Sequence, residues 1–116
     1  KGKKTGVDAT AYDFFKGKGN QSLPIVDIQD RAVFLMLNEA VLCIEEGIIA
    51  NPTDGDLGAV FGIGFLPFTG GPFRALDTWG LAPVVARMED FRSTYGERFA
   101  PAKTLIKMAK DGSTFH

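Results

Sequence analysis

Histidine and cysteine are nearly missing: the 116 residues hold one of each, His116 and Cys43. One cysteine excludes an internal disulfide framework and a cysteine zinc quartet, so no metal site is expected. Cys43 lies in an apolar run and reads as a small core residue. The only histidine stands at the very end, so Cys43 lacks an activating base, and Ser22, Ser93 and Ser113 have no histidine or lysine setting that suggests a nucleophile. An excess of charge is missing too: 13 basic residues against 14 acidic ones leave a net charge of −1. That balance gives no general pull toward nucleic acid or anionic membrane. No apolar run is long enough for a transmembrane helix, and no signal peptide is visible. The sequence opens on Lys1 rather than Met, as expected of a piece of a longer protein. A reducing compartment fits.

What is present suits one compact domain with a modest core. Residues 1–26 read as a linker with a short helical segment over 8–15, packed on the domain through Tyr12, Phe14 and Phe15. Lys1, Lys3, Lys4, Lys16 and Lys18 make the linker basic and solvated. Residues 27–116 read as the domain itself. Its clearest element is 27–47, with Asp27 as N-cap and Gly47 as C-terminal cap. Arg31, Asn38 and Glu45 recur every seven residues and, with Glu39 and Glu46, form one narrow polar stripe. Glu39, Glu45 and Glu46 are expected to be solvated. The rest of that helix is so apolar that it should lie at the centre, wrapped by others.

A second helix follows in ANPTDGDLGAVF, where Thr53 and Asp56 are spaced as a capping box. Asp-Gly-Asp resembles part of a calcium loop, but the later ligands and the bidentate Glu are missing. Gly62 and Gly64 end this helix. Phe65, Pro67 and Phe68 form a buried connector. Gly71 and Pro72 start a third helix, which Gly80 ends. A fourth runs from near Pro83 to Tyr95, closed by Gly96. A fifth spans 102–110, closed by Asp111-Gly112. Met36, Met88 and Met108 are core fillers, and Trp79 is half-buried. Strand alternation is not sustained anywhere, so the class is all-α, a compact bundle of about five helices.

The stretch GIGFLPFTGGPFR tempts a nucleotide reading. The dinucleotide fingerprint needs a strand before it, three spaced glycines and a helix after it. Here Gly62 and Gly64 follow a helix, and Pro67 stands where the third glycine belongs. A steric role is favoured, with small residues letting chain segments pass close while phenylalanines fill the gaps. The helix at Pro72 aims free N–H groups at whatever lies before it, which leaves a contact with an anion or ligand open. Gly70, Gly71 and Phe73 are the candidate substrate-binding residues. No catalytic or cofactor-binding residue is assigned.

The order LNEAVLCIEEGI, then NPTDGDLGAVFGIGFLPFTGGPFRALDTWG, resembles the C-terminal domain of 3-hydroxyacyl-CoA dehydrogenases. More narrowly it is similar to the last domain of multifunctional fatty-acid oxidation α-subunits. The resemblance covers about residues 27–96 and implies a fold like the C-terminal domain of 6-phosphogluconate dehydrogenase. It implies a parent that uses NAD to oxidise 3-hydroxyacyl-CoA, with an enoyl-CoA hydratase domain upstream. In that family the first of two helical copies carries an asparagine followed by arginine near the start of its long helix. The matching dipeptide here is Asp30-Arg31, and an ionised carboxylate cannot donate as an amide does. The resemblance therefore implies a second, degenerate copy, inactive alone, that binds no cofactor itself and braces its sister domain. Preceding helical and NAD-binding domains of the same chain would be its partners, with a thiolase subunit as a further one. The location would be cytoplasmic in a bacterium and mitochondrial in a eukaryote. Self-association of the isolated piece is expected. A stand-alone dimerisation module and a small acyl-CoA-binding domain are the alternatives.

Overall fold

The computed structural model describes Gly6, Asp8, Thr10, Phe14 and residues 22–116. Tyr12, Phe15 and most of the turn expected over 8–15 lie outside the described residues. Phe14 does not pack on the domain: it is 86% exposed.

Among the described residues five helices carry the fold: α1 (Ile25–Glu45), α2 (Pro52–Ile63), α3 (Pro72–Trp79), α4 (Leu81–Tyr95) and α5 (Lys103–Asp111). Single 3-10 turns sit at Pro67–Thr69 and Glu97–Phe99. No strand occurs among the described residues. Proline sets the starts. Pro24, not Asp27, stands at the head of α1, and its carbonyl accepts from the Asp27 and Ile28 amides. Its fixed φ and missing N–H cost nothing there. Asp27 sits in the first turn instead. Pro52 likewise moves the cap of α2 to Asn51, whose side chain accepts from the Asp54 amide at 2.9 Å. The expected Thr53–Asp56 box does not form, because Asp56 is buried and turned toward α3.

Left-handed glycines set several of the ends. Gly47 follows α1 with φ 71°, and its amide donates to Ile44 O. Gly64 closes α2 in the same region, where a side chain would be strained. The connector after it divides. Phe65 is buried, but Phe68 is 84% exposed, against the expectation of a buried run. Pro67 and Phe68 lie on the outer side of the 3-10 turn, and Thr69 closes the turn by donating its hydroxyl to Leu66 O. α3 and α4 are separated by Gly80 alone.

The core runs along one side of α1. Phe34, Leu37 and Val41 meet Phe73 and Leu76 of α3, Val84, Met88 and Phe91 of α4, and Leu105 of α5. Phe91 is its aromatic centre, 6.2 Å from Phe34, 5.7 Å from Tyr95 and 5.6 Å from Phe99. α1 is not wrapped on all sides: Ile25, Val26, Ile28 and Met36 remain exposed. Met36 is thus a surface methionine, whereas Met88 is fully buried.

The polar stripe of α1 is only partly solvated: Arg31 is half-buried and Asn38 buried, while its three glutamates stay exposed. Arg31 lies over the Tyr95 ring at 4.1 Å. Asn38 is buried; its Nδ2 donates to Ala100 O at 3.1 Å and its Oδ1 accepts from the Ala102 amide at 2.7 Å. Glu45 accepts from the Thr104 amide at the start of α5. The reason is that α5 has no side-chain cap of its own. Its free N–H groups and the carbonyl before it need polar partners, and the stripe supplies them. Glu39, Glu45 and Glu46 are all exposed, as expected.

Candidate functional site

The Gly/Pro/Phe stretch converges on the start of α3. Gly70 has φ 79° and Gly71 φ 121°. A side chain on Gly70 would run into Arg74, and one on Gly71 would occupy the space that the Asp56 carboxylate fills. Gly71 offers α3 no capping side chain. The cap comes from α2 instead: Asp56 Oδ1 accepts from the Phe73 amide at 2.8 Å. The carboxylate thus sits at the positive end of the α3 dipole. His116 then donates from Nε2 to Asp56 Oδ2 at 3.0 Å. Asp77 holds the same segment, accepting from the Phe115 and His116 amides at 2.8 and 3.0 Å. Phe73 is fully buried, with the Phe115 ring centre 5.0 Å from its own. Of the three candidates, Gly70 alone is exposed; Gly71 and Phe73 are buried.

Sequence reasoning gave Asp56 to a cap on α2 instead of α3, and missed Asp77 and the contact made by His116. One signal was available: a helix opening on Gly-Pro lacks its own cap, so an acceptor must come from elsewhere.

Gly62-Ile63-Gly64 closes α2, and no strand precedes it among the described residues. That geometry does not fit a dinucleotide cradle, which needs the glycines to open a helix.

A groove of about 500 Å³ lies between α1 and α2, floored by Ala40, Ala59 and Phe65 and reached by Cys43. Cys43 is therefore half-buried at a cleft rather than inside the core. Glu39 and Asp54 are the acidic residues of the groove lining. The helix beyond it is unusual. Only Gly55 and Asp56 of the 12 residues of α2 are buried, while Leu57, Phe61 and Ile63 are exposed. A methyl group added at Gly58 or Gly62 would touch nothing.

A smaller cavity of about 360 Å³ lies beside Phe34, Trp79 and Pro83, with Asp30 and Arg87 in its wall. Asp27 and Asp30 both accept from Arg87, which also lies 4.3 Å over the Phe91 ring. Desolvation would lower the Arg87 pKa, but its hydrogen bonds to Asp27 and Asp30, and their charges, outweigh it and hold it above the usual arginine value. Asp30 therefore faces a guanidinium across the bundle, and its neighbour Arg31 faces Tyr95.

Comparison with known proteins gives consistent matches. The chain is 50% identical to the fatty acid oxidation complex subunit alpha of Vibrio parahaemolyticus and 53% identical to that of Shewanella amazonensis, in each case over 100% of this chain and 16% of the relative. It is 58% identical to the same subunit of Shewanella frigidimarina over 77% of this chain and 12% of the relative. The chain thus spans about one-sixth or less of the length of these curated relatives. The family model described as 3-hydroxyacyl-CoA dehydrogenase, C-terminal domain, matches residues 28–114. That span takes in every helix except the first turn of α1. This all-helical chain belongs to the 3-hydroxyacyl-CoA dehydrogenase C-terminal domain family.

Proposed function

We propose that this chain is the bracing helical domain of a multifunctional fatty-acid oxidation enzyme and is not catalytic alone. The parent oxidises 3-hydroxyacyl-CoA to 3-ketoacyl-CoA with NAD and hydrates enoyl-CoA, using residues outside these 116. NAD belongs to the parent's dinucleotide domain in this reading. Residues 1–26 connect the preceding helical domain to the unit at 27–116. A thiolase subunit is a further partner of the assembled parent, and the bacterial relatives favour a cytoplasmic location.

The observation that carries this reading is the outer face of α2. Its exposed apolar side chains and unopposed glycines suit close approach by another packed surface. Burying one exposed phenylalanine such as Phe61 is worth about 1.5–3 kcal/mol. The acyl-CoA alternative is disfavoured by Glu39 and Asp54, which would repel a polyanionic ligand at the groove. Calorimetric titration of the 116-residue chain with acetoacetyl-CoA, with and without NAD, tests the choice. The bracing reading expects no saturable heat from either. Saturable binding would replace it with the acyl-CoA-binding one.

A further inference from the structure

We propose that Ser113–His116 is a clasp that fixes α2 against α3 and so holds the outer face of α2 in register for the surface it meets. The second half of that statement rests on the bracing reading; the clasp does not. α3 is only eight residues long and has no side-chain cap of its own. Its Phe73 amide depends on Asp56, a carboxylate that is 4% exposed. A buried carboxylate with a single donor is costly to keep. His116 supplies the second donor.

His116 can reach Asp56 because Asp77, on α3, binds two consecutive amides of the same segment. One tetrapeptide therefore grips α2 through Asp56 and α3 through Asp77. The Phe115 ring against Phe73 adds an apolar anchor on α3. Phe73 in turn packs on Gly55 of α2, where no side chain would fit. A single anchor would let one helix swivel on the other, whereas anchors on both helices restrain that rotation. α2 has little else to hold it, since most of its surface faces outward.

The test is residue-resolved hydrogen exchange on the full-length protein that carries this chain. The variants are His116→Ala, His116→Gln and Asp77→Asn. In His116→Ala the Phe73 amide should exchange about three- to tenfold faster, the size expected for one lost supporting hydrogen bond. His116→Gln, which keeps a donor, should recover part of the protection. Asp77→Asn should reproduce the loss without touching Asp56 and serves if His116→Ala folds poorly. The Ala102 amide, held by Asn38, should not change, which separates a local clasp from global destabilisation. Wild-type exchange at Phe73 in both His116→Ala and Asp77→Asn would overturn the clasp. Hydroxyl-radical labelling of Phe61 in the wild-type protein decides the other half. A protected Phe61 supports an occupied outer face, and a labelled one removes the bracing reading while Phe73 still decides the clasp.

Discussion

Asn38 uses both ends of its amide on segments more than sixty residues away, donating to Ala100 O and accepting from the Ala102 amide. Asn38→Ala should cost about 2–4 kcal/mol in urea unfolding, because two bonds go and a buried amide and carbonyl are left unmet. Asn38→Asp should be no better, since an ionised carboxylate cannot donate to the Ala100 carbonyl. Asp30→Asn differs. Arg87 keeps Asp27, and the pair is partly exposed, so stability should stay within about 1 kcal/mol of wild type. If Asp30 belongs to a degenerate copy, the parent's dehydrogenase turnover should be nearly unchanged as well; a large loss would show that it touches the chemistry. At this scale the sequence was half legible. A seven-residue spacing puts Arg31, Asn38 and Glu45 on one face, but spacing is silent on what that face meets. The partners, Tyr95, Ala100 and Thr104, lie far along the chain.

At the scale of elements, two helices borrow their caps. α3 takes Asp56 from α2, and α5 takes Glu45 from α1. Helix positions were readable because Pro72, Gly80 and Gly96 act through local backbone geometry. Cap assignments at Thr53 and Asp56 failed because a side chain in the first turns can turn outward to a second helix. The glycines separate the two kinds of constraint. Gly71→Ala forces a side chain onto an almost glycine-only backbone and into the Asp56 carboxylate. It should destabilise the chain by about 2 kcal/mol or more. Gly58→Ala meets open space in a helix interior and should stabilise the isolated chain by about 0.5–1 kcal/mol. The two thermal midpoints should move in opposite directions. In the full-length protein the gain at Gly58 should vanish if a packed surface covers α2.

At the scale of the molecule, the exposed side chains Ile48, Leu57, Phe61, Ile63 and Phe68 cluster around α2 and its two ends. The isolated chain should therefore associate as its concentration rises. Sedimentation velocity should show that association weakened in Phe61→Asp. A wild-type chain that stays monomeric at high concentration would argue against an interface on this face. Apolar composition alone could not reveal the face, because α2 carries apolar residues both partly covered, at Ala59 and Val60, and open, at Leu57, Phe61 and Ile63. Only the placement of α1 and α3 decides which side is left over.

The Asn38 bracket also has a consequence in time. Ala100 lies 62 residues after Asn38, and at a synthesis rate of roughly 5–20 residues per second that is a delay of about 3–12 s. Throughout that interval the first helix has left its maker without the turn that its amide and its apolar side are shaped to receive. A chain stalled before Ala100 has the central helix complete and the bracket open. The bracket can close only once Ala100 and Ala102 have both been made.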